Sequence, residues 1–169
     1  ALSALGIGFN LNSSDLAVRL NFCTLDDSNN VIDRRAGRIS TEHNKQLIGE
    51  LSGIVIDNGQ IELSTESQHR AVLVLRDGEF YADVRETDPQ QTGVPPLRPE
   101  ALSPDAESTS LALCQFLQGV EDRIGDMTPA NFVLMRGYSG LPDLKPMGDL
   151  YKISPACVAA YPMYRGLAK

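Results

Sequence analysis

The sequence predicts an α+β fold, a mixed β-sheet with helices packed mainly on one face. Three observations carry this expectation. Short segments that alternate at period two, or are almost continuously apolar, recur through the chain as strands do. Two longer segments carry helix start signals and an apolar stripe at helical spacing. The two kinds follow one another in mixed order, with no internal repeat and no low-complexity tract. At 169 residues, 42% of them apolar, the chain has material for one domain, or one domain with a small appendage.

The elements are read in order. Residues 16–24, LAVRLNFCT, place Leu16, Val18, Leu20 and Phe22 on one face and Arg19, Asn21 and Cys23 on the other. DDSNN is a hairpin-like turn, and VIDRR resumes an extended segment. ISTEHNKQLIGELSG is a helix with Ser40 or Thr41 as N-cap, Glu42 in its first turn, an apolar stripe of Leu47, Ile48 and Leu51, and Gly53 as its stop. Strands are expected over 53–59, 61–65 and 69–76, the last so apolar that it reads as central. GEFYADVRETDP adds a short extended piece. Residues 87–104, with five prolines, form a long excursion. Ser103-Pro104-Asp105 starts a second helix, lined by Leu113, Leu117, Val120 and Ile124 and ending near Gly125. Residues 131–140 form a buried-type strand, and the last fifteen a short strand followed by a helix with Pro162 early in it.

A formal charge of −7 argues against a general binder of nucleic acid or anionic membrane, since both require a broad positive face. The apolar runs are too short to span a bilayer, and the first residues lack a signal-peptide pattern. Cys23, Cys114 and Cys157 lack metal or disulfide spacing and read as buried hydrophobes of an intracellular, cytoplasmic protein. The start on Ala1 and the helix running into the last residue read as a piece of a longer protein.

Catalytic motifs are sparse. His43 and His69 form no metal pair, and His43 reads as a solvated or capping residue of a helix first turn. No phosphate-cradling glycine loop or nucleophile elbow is present. Arginine stands out instead. DRRAGR sets Arg34, Arg35 and Arg38 together just before a helix start, and Arg19, Arg70, Arg76 and Arg85 fall on or beside strands. Guanidinium forks from separate strands can surround one phosphate or carboxylate, and a helix N-terminus beside them would add its dipole. The bland alternative pairs Arg34 with Asp33 or Asp57 and Arg76 with Asp77 at the surface.

Taken together, LAVRLNFCTLDD with VIDRRAGRISTE, HRAVLVLR with TDP, NFVLMRGYSGLPDL and ACVAAYPMYRGLAK resemble, in order, segments of the archaeal-type cofactor-independent phosphoglycerate mutases, within the alkaline phosphatase superfamily. The resemblance implies that residues 1–150 form the domain inserted into that family's metal-binding core, and that 151–169 lead back towards the core. It implies a glycolytic isomerase whose serine nucleophile and two divalent metals, manganese-like, lie outside this chain. No catalytic residue or metal ligand is expected here. The substrate-binding residues it implies are Arg19, Asn21, Asp33, Arg35, Arg38, His69, Arg70, Arg76 and Asp88, with Arg34 a weaker candidate and Asn21, Asp33 and Asp88 as orienting groups. The expected partners are a small phosphorylated carboxylic acid and the remainder of the parent chain, with no nucleic acid and no membrane. LRDGEFYADV and VRETDP depart from the family pattern, which leaves open a different phosphorylated metabolite. A non-catalytic anion-binding or structural module is the remaining alternative.

Overall fold

The computed structural model describes residues 1–143, 145 and 147–168. Leu144 and Lys169, the last residues of two of the quoted segments, lie outside them. The elements run α1 (Leu2–Ile7), β1 (Leu16–Leu25), β2 (Val31–Asp33), α2 (Thr41–Leu51), β3 (Gln60–Ser67), β4 (Arg70–Arg76), α3 (Glu107–Ile124), β5 (Phe132–Ser139), α4 (Met147–Tyr151) and α5 (Pro162–Leu167). This is the expected α+β class. The sheet is five-stranded, with β1 paired to β2, β4 and β5 and β3 outside β4. All four ladders are antiparallel, where the sequence suggested a mixed sheet.

Period two in β1 explains the layering. Leu16, Val18, Leu20 and Phe22 join Leu73 and Leu75 of β4 in a core closed by α2 (Leu47, Leu51) and α3 (Leu113, Phe116, Val120, Ile124). On the opposite face, Ala17, Val72 and Val74 pack with Ala4 and Leu11 in a smaller cluster. Along that second face, beyond the region Ala4 covers, β1 carries Arg19 and Asn21. Register completes the arrangement: Arg19 lies opposite Arg136 of β5, and Asn21 opposite Arg70 of β4. Directly opposed residues of an antiparallel pair share a face. One end of the sheet thus displays arginines.

Ser40 caps α2 as expected, its hydroxyl accepting from the His43 backbone N–H at 3.1 Å. Four expectations are corrected. Residues 53–59 form no strand, because Ile54 and Ile56 turn into the helical core while Arg123 donates to the Glu50, Ser52 and Gly53 carbonyls at the end of α2. The segment 78–89 contributes a single bridge, Val84 to Ala101, and residues 155–160 form no strand. Of the cysteines only Cys23 is buried; Cys114 and Cys157 are exposed. Burial, assisted by the charges of Asp88 and Asp33, pushes the Cys23 thiol up, so it stays protonated and inert.

The two end helices touch through glycines. A Cβ on Gly6 would meet the Pro162 carbonyl oxygen at 1.7 Å, and one on Gly166 the Leu2 carbonyl oxygen at 1.9 Å. Only glycine permits this backbone approach.

Candidate anion site

The turn at 33–38 is built by one carboxylate. Asp33 accepts from the Arg35 N–H at 2.8 Å and the Gly37 N–H at 2.7 Å. It holds three successive residues left-handed: Ala36 (φ 47), Gly37 (φ 63) and Arg38 (φ 54). For Ala36 and Arg38 this conformation costs ~1–2 kcal/mol each. Such strain survives where the surroundings over-determine it, and it gathers at ligand clamps.

On the sheet side, the turn between β3 and β4 carries Gln68 and His69. Asn44 pins it from the buried face of α2: its side-chain N–H donates to the Gln68 and Arg70 carbonyls (2.6 and 3.0 Å), and its oxygen accepts from Thr65 at 2.8 Å. The proline-rich excursion is pinned just as firmly. The Thr87 hydroxyl accepts from the Met135 N–H at 2.7 Å, and the Thr87 N–H donates to the Met135 carbonyl at 3.0 Å. Asp88 is thereby set beside Arg136.

These elements enclose one cavity of about 370 Å³, lined by Arg19, Asn21, Arg34, Arg35, Arg38, Gln68, His69, Arg70, Arg136 and Tyr161. A neighbouring cavity of about 240 Å³, walled largely by small apolar residues of α1 and β1, shares Arg19 and Arg136 with it.

Three of the six arginines are neutralised. Arg34 forks onto Asp88 at 2.9 and 2.8 Å, with the Asp88 side chain wholly buried. Arg136 reaches Asp88 and Glu86, both at 3.4 Å. Arg70 pairs with the buried Glu66 at 3.3 Å and donates to the Ser67 hydroxyl at 2.7 Å. Arg19, Arg35 and Arg38 have no side-chain partner among the described residues. Asn21 Oδ1 and His69 Nδ1 are buried without hydrogen-bond partners among the described residues. Unpaired cations facing one another, with polar atoms left unsatisfied, cost the free protein stability. An oxyanion among the three cations makes their approach favourable, whereas the Asn21 oxygen calls for a donor such as a hydroxyl.

The ionisation states follow. Burial opposes charge on Asp88, but the Arg34 hydrogen bonds, the Gln90 N–H and the charges of Arg34 and Arg136 outweigh it and hold its carboxyl below the ordinary value. The Arg34 guanidinium is correspondingly raised, chiefly by its hydrogen bonds to Asp88. Burial first, then the charges of Arg70, Arg35 and Arg38, lowers His69 to about 4. The unfolded imidazole titrates near 6.5, so between pH 6.5 and 4 the unfolded chain binds more protons. His69 therefore withdraws stability as pH falls through that window, by at most ~1.4 kcal/mol per unit. Nuclear magnetic resonance titration of the full-length protein is expected to give an imidazole midpoint near 4, moving upward with inorganic phosphate bound. A midpoint near 6.5 in the free protein would contradict this environment.

Of the residues singled out in the sequence, Arg19, Asn21, Arg35, Arg38, His69 and Arg70 line the cavity. Asp33 and Asp88 stand behind it and hold lining residues in place. Arg76 lies at the far end of β4 from Arg70, paired with Asp15 (3.0 Å) and Glu62 (2.9 Å), and does not line it. Arg34 is a full member of the wall, and its partner is neither Asp33 nor Asp57. The first turn of α2 is not part of the lining, so the expected dipole contribution is not seated there. Arg136 and Tyr161 were not foreseen. Arg136 could have been found as the one charged residue within the apolar strand segment FVLMRGYS.

Among the described residues no group of three or more His, Cys, Asp or Glu side chains is placed to hold a metal ion. The residues present do not fit a divalent metal, and the chemistry they support is anion binding. No helix among the described residues is long and apolar enough to cross a membrane.

Residues 1–129 match the sequence model of a family described as 2,3-bisphosphoglycerate-independent phosphoglycerate mutase. A relative from Thermus thermophilus, named probable 2,3-bisphosphoglycerate-independent phosphoglycerate mutase, is 42% identical over 171 residues, covering 99% of this chain and 42% of the relative. One of the same name from Deinococcus radiodurans is 43% identical over 173 residues, with the same coverage. The solved cofactor-independent phosphoglycerate mutase from Thermoplasma acidophilum superposes with a TM-score of 0.78 at 26% identity, over 99% of this chain and 48% of that one. This chain thus spans less than half the length of these relatives. It belongs to the 2,3-bisphosphoglycerate-independent phosphoglycerate mutase family.

Proposed function

We propose that residues 1–150 are the substrate-closing domain of a longer enzyme that interconverts 3- and 2-phosphoglycerate, and that residues 151–169 lead back to its remainder. The convergence of six arginines on one cavity, three of them without a side-chain partner among the described residues, is the observation that carries this reading. A phosphoglycerate presents a carboxylate and a phosphate, and guanidinium forks match both bidentately. Asn21 and His69 line the cavity and each carries a polar atom without a hydrogen-bond partner among the described residues, which suits them to the hydroxyl that differs between the two isomers. His69, neutral at physiological pH, can accept or donate there without adding charge. A cavity preorganised around the anion supplies positioning and shields a phosphorylated intermediate from water. Phosphoryl transfer through a serine, with its divalent metals, would belong to the remainder of the parent chain.

The test is made on the full-length parent protein with manganese. Interconversion of 3- and 2-phosphoglycerate is the expected result. A panel of other phosphorylated small acids and alcohols run alongside decides the substrate: turnover of one of them, with none of phosphoglycerate, would transfer the same clamp to that metabolite. Turnover of neither would leave a non-catalytic anion-binding module.

A further inference from the structure

Tyr161 enters the arginine cavity from a segment that contributes nothing else to its lining. The Arg70 guanidinium carbon lies over the face of its ring, 5.2 Å from the ring centroid. Tyr164 packs edge-on against it, centroids 5.7 Å apart. Its backbone is fixed as well. Tyr161 is the N-cap of α5, and its carbonyl accepts from the N–H groups of Tyr164 and Arg165. The next residue, Pro162, is the one seated against Gly6.

Arg70 is thereby held on several sides, by Glu66 and Ser67 through its nitrogens and by the aromatic face under its guanidinium carbon. The partner of Arg70 across the sheet is Asn21, whose oxygen awaits a donor. A long, flexible side chain held in this way gives up its entropy before the anion arrives.

We propose that Tyr161 is a positioning residue for the bound anion, acting through Arg70: its ring holds the guanidinium in place and closes that side of the cavity. The proposal rests on the anion-clamp reading above. It adds that the clamp is completed by the C-terminal segment packed on α1, so that the site depends on how that segment is seated.

The experiment uses the full-length protein carrying Tyr161→Phe, which keeps the aromatic face, or Tyr161→Leu, which keeps apolar bulk without it. Two quantities are read: KM and kcat for 3-phosphoglycerate, and calorimetric affinity for inorganic pyrophosphate with metal removed. Tyr161→Leu is expected to raise KM and weaken pyrophosphate roughly fivefold, with kcat within about twofold. Tyr161→Phe should match the parent protein. In an Arg70→Met background, Tyr161→Leu should cost nothing further.

Unchanged KM and affinity in Tyr161→Leu would overturn the proposal, as would an equal loss in Tyr161→Phe. Should the parent protein lack mutase activity, the substrate assignment falls, and pyrophosphate affinity alone decides. Equal pyrophosphate binding by all variants, or none by the parent protein, then overturns the role of Tyr161.

Discussion

Arg38→Ala in the full-length protein is expected to lower kcat/KM for phosphoglycerate by ~10²-fold while leaving thermal stability unchanged or raised. The two halves of this outcome have one cause. Arg38 has no counter-charge among the described residues and faces Arg19 and Arg35, equally unpaired, across the same cavity. Removing it relieves like-charge repulsion in the free protein. In the complex, a charge-assisted hydrogen bond worth ~1.5–3 kcal/mol disappears, together with the positioning it enforced. Arg38→Gly should push the two effects further apart, since glycine adopts a φ of 54 without penalty. Steady-state kinetics paired with calorimetric melting checks this. A loss below threefold, or one accompanied by a fall in melting temperature, would show that Arg38 supports the fold and not the ligand. Ion pairs that merely decorate a surface produce neither signature.

How far the sequence reveals this site depends on the range of the interaction that makes it. Alternation in β1 is local, and it separates Leu16, Val18, Leu20 and Phe22 from Arg19 and Asn21 correctly. The Ser40 cap and the crowding of Arg34, Arg35 and Arg38 are local too, and both were legible. The apposition of Arg19 and Arg136 is a property of register between β1 and β5, more than a hundred residues apart, and no pattern in either strand states it. The partner of Arg34 lies 54 residues away, at the start of an excursion whose prolines signal irregular backbone and not where it is tied down. Asn44 occupies a position on the apolar stripe of α2, seven residues before Leu51. A buried asparagine there serves to hold the turn that carries His69, which only the tertiary contacts disclose. The false strand at 53–59 is instructive in the opposite sense. Its isoleucines are as buried as a strand's would be, but helices α2 and α3 took them first. Arg76 fits the same lesson. It shares a strand and a face with Arg70, and β4 carries it out of the cavity to Asp15 and Glu62.

Asp88→Ala should be the most damaging single change around the cavity, because it removes a counter-ion from two arginines at once. The Asp88 carboxylate is wholly buried, forks onto Arg34, reaches Arg136 and accepts from the Gln90 N–H at 2.9 Å. Breaking a fully buried pair from one side costs ~3–5 kcal/mol. Arg34 keeps 31% of its side chain exposed, and water will solvate it in part, so about 2–3 kcal/mol is expected here. Asp88→Asn preserves the shape but turns an N–H towards a guanidinium, and should recover only part of the loss. The pH dependence separates this electrostatic account from a simple cavity. The folded carboxyl of Asp88 titrates below its unfolded value, so its contribution is present above ~3.9 and is lost as pH falls through the folded value. The stability gap between the parent protein and Asp88→Asn should therefore be full at pH 7 and narrow steadily below pH 4. Urea denaturation of both proteins across that range measures it, and a gap constant with pH would assign the damage to packing. Because Arg34 is freed and Arg136 is left with Glu86 alone, anion affinity should fall even though the cavity gains positive charge. Attraction to the cavity would rise while the aimed contacts disappear, and the direction of that change reports which of the two holds the substrate.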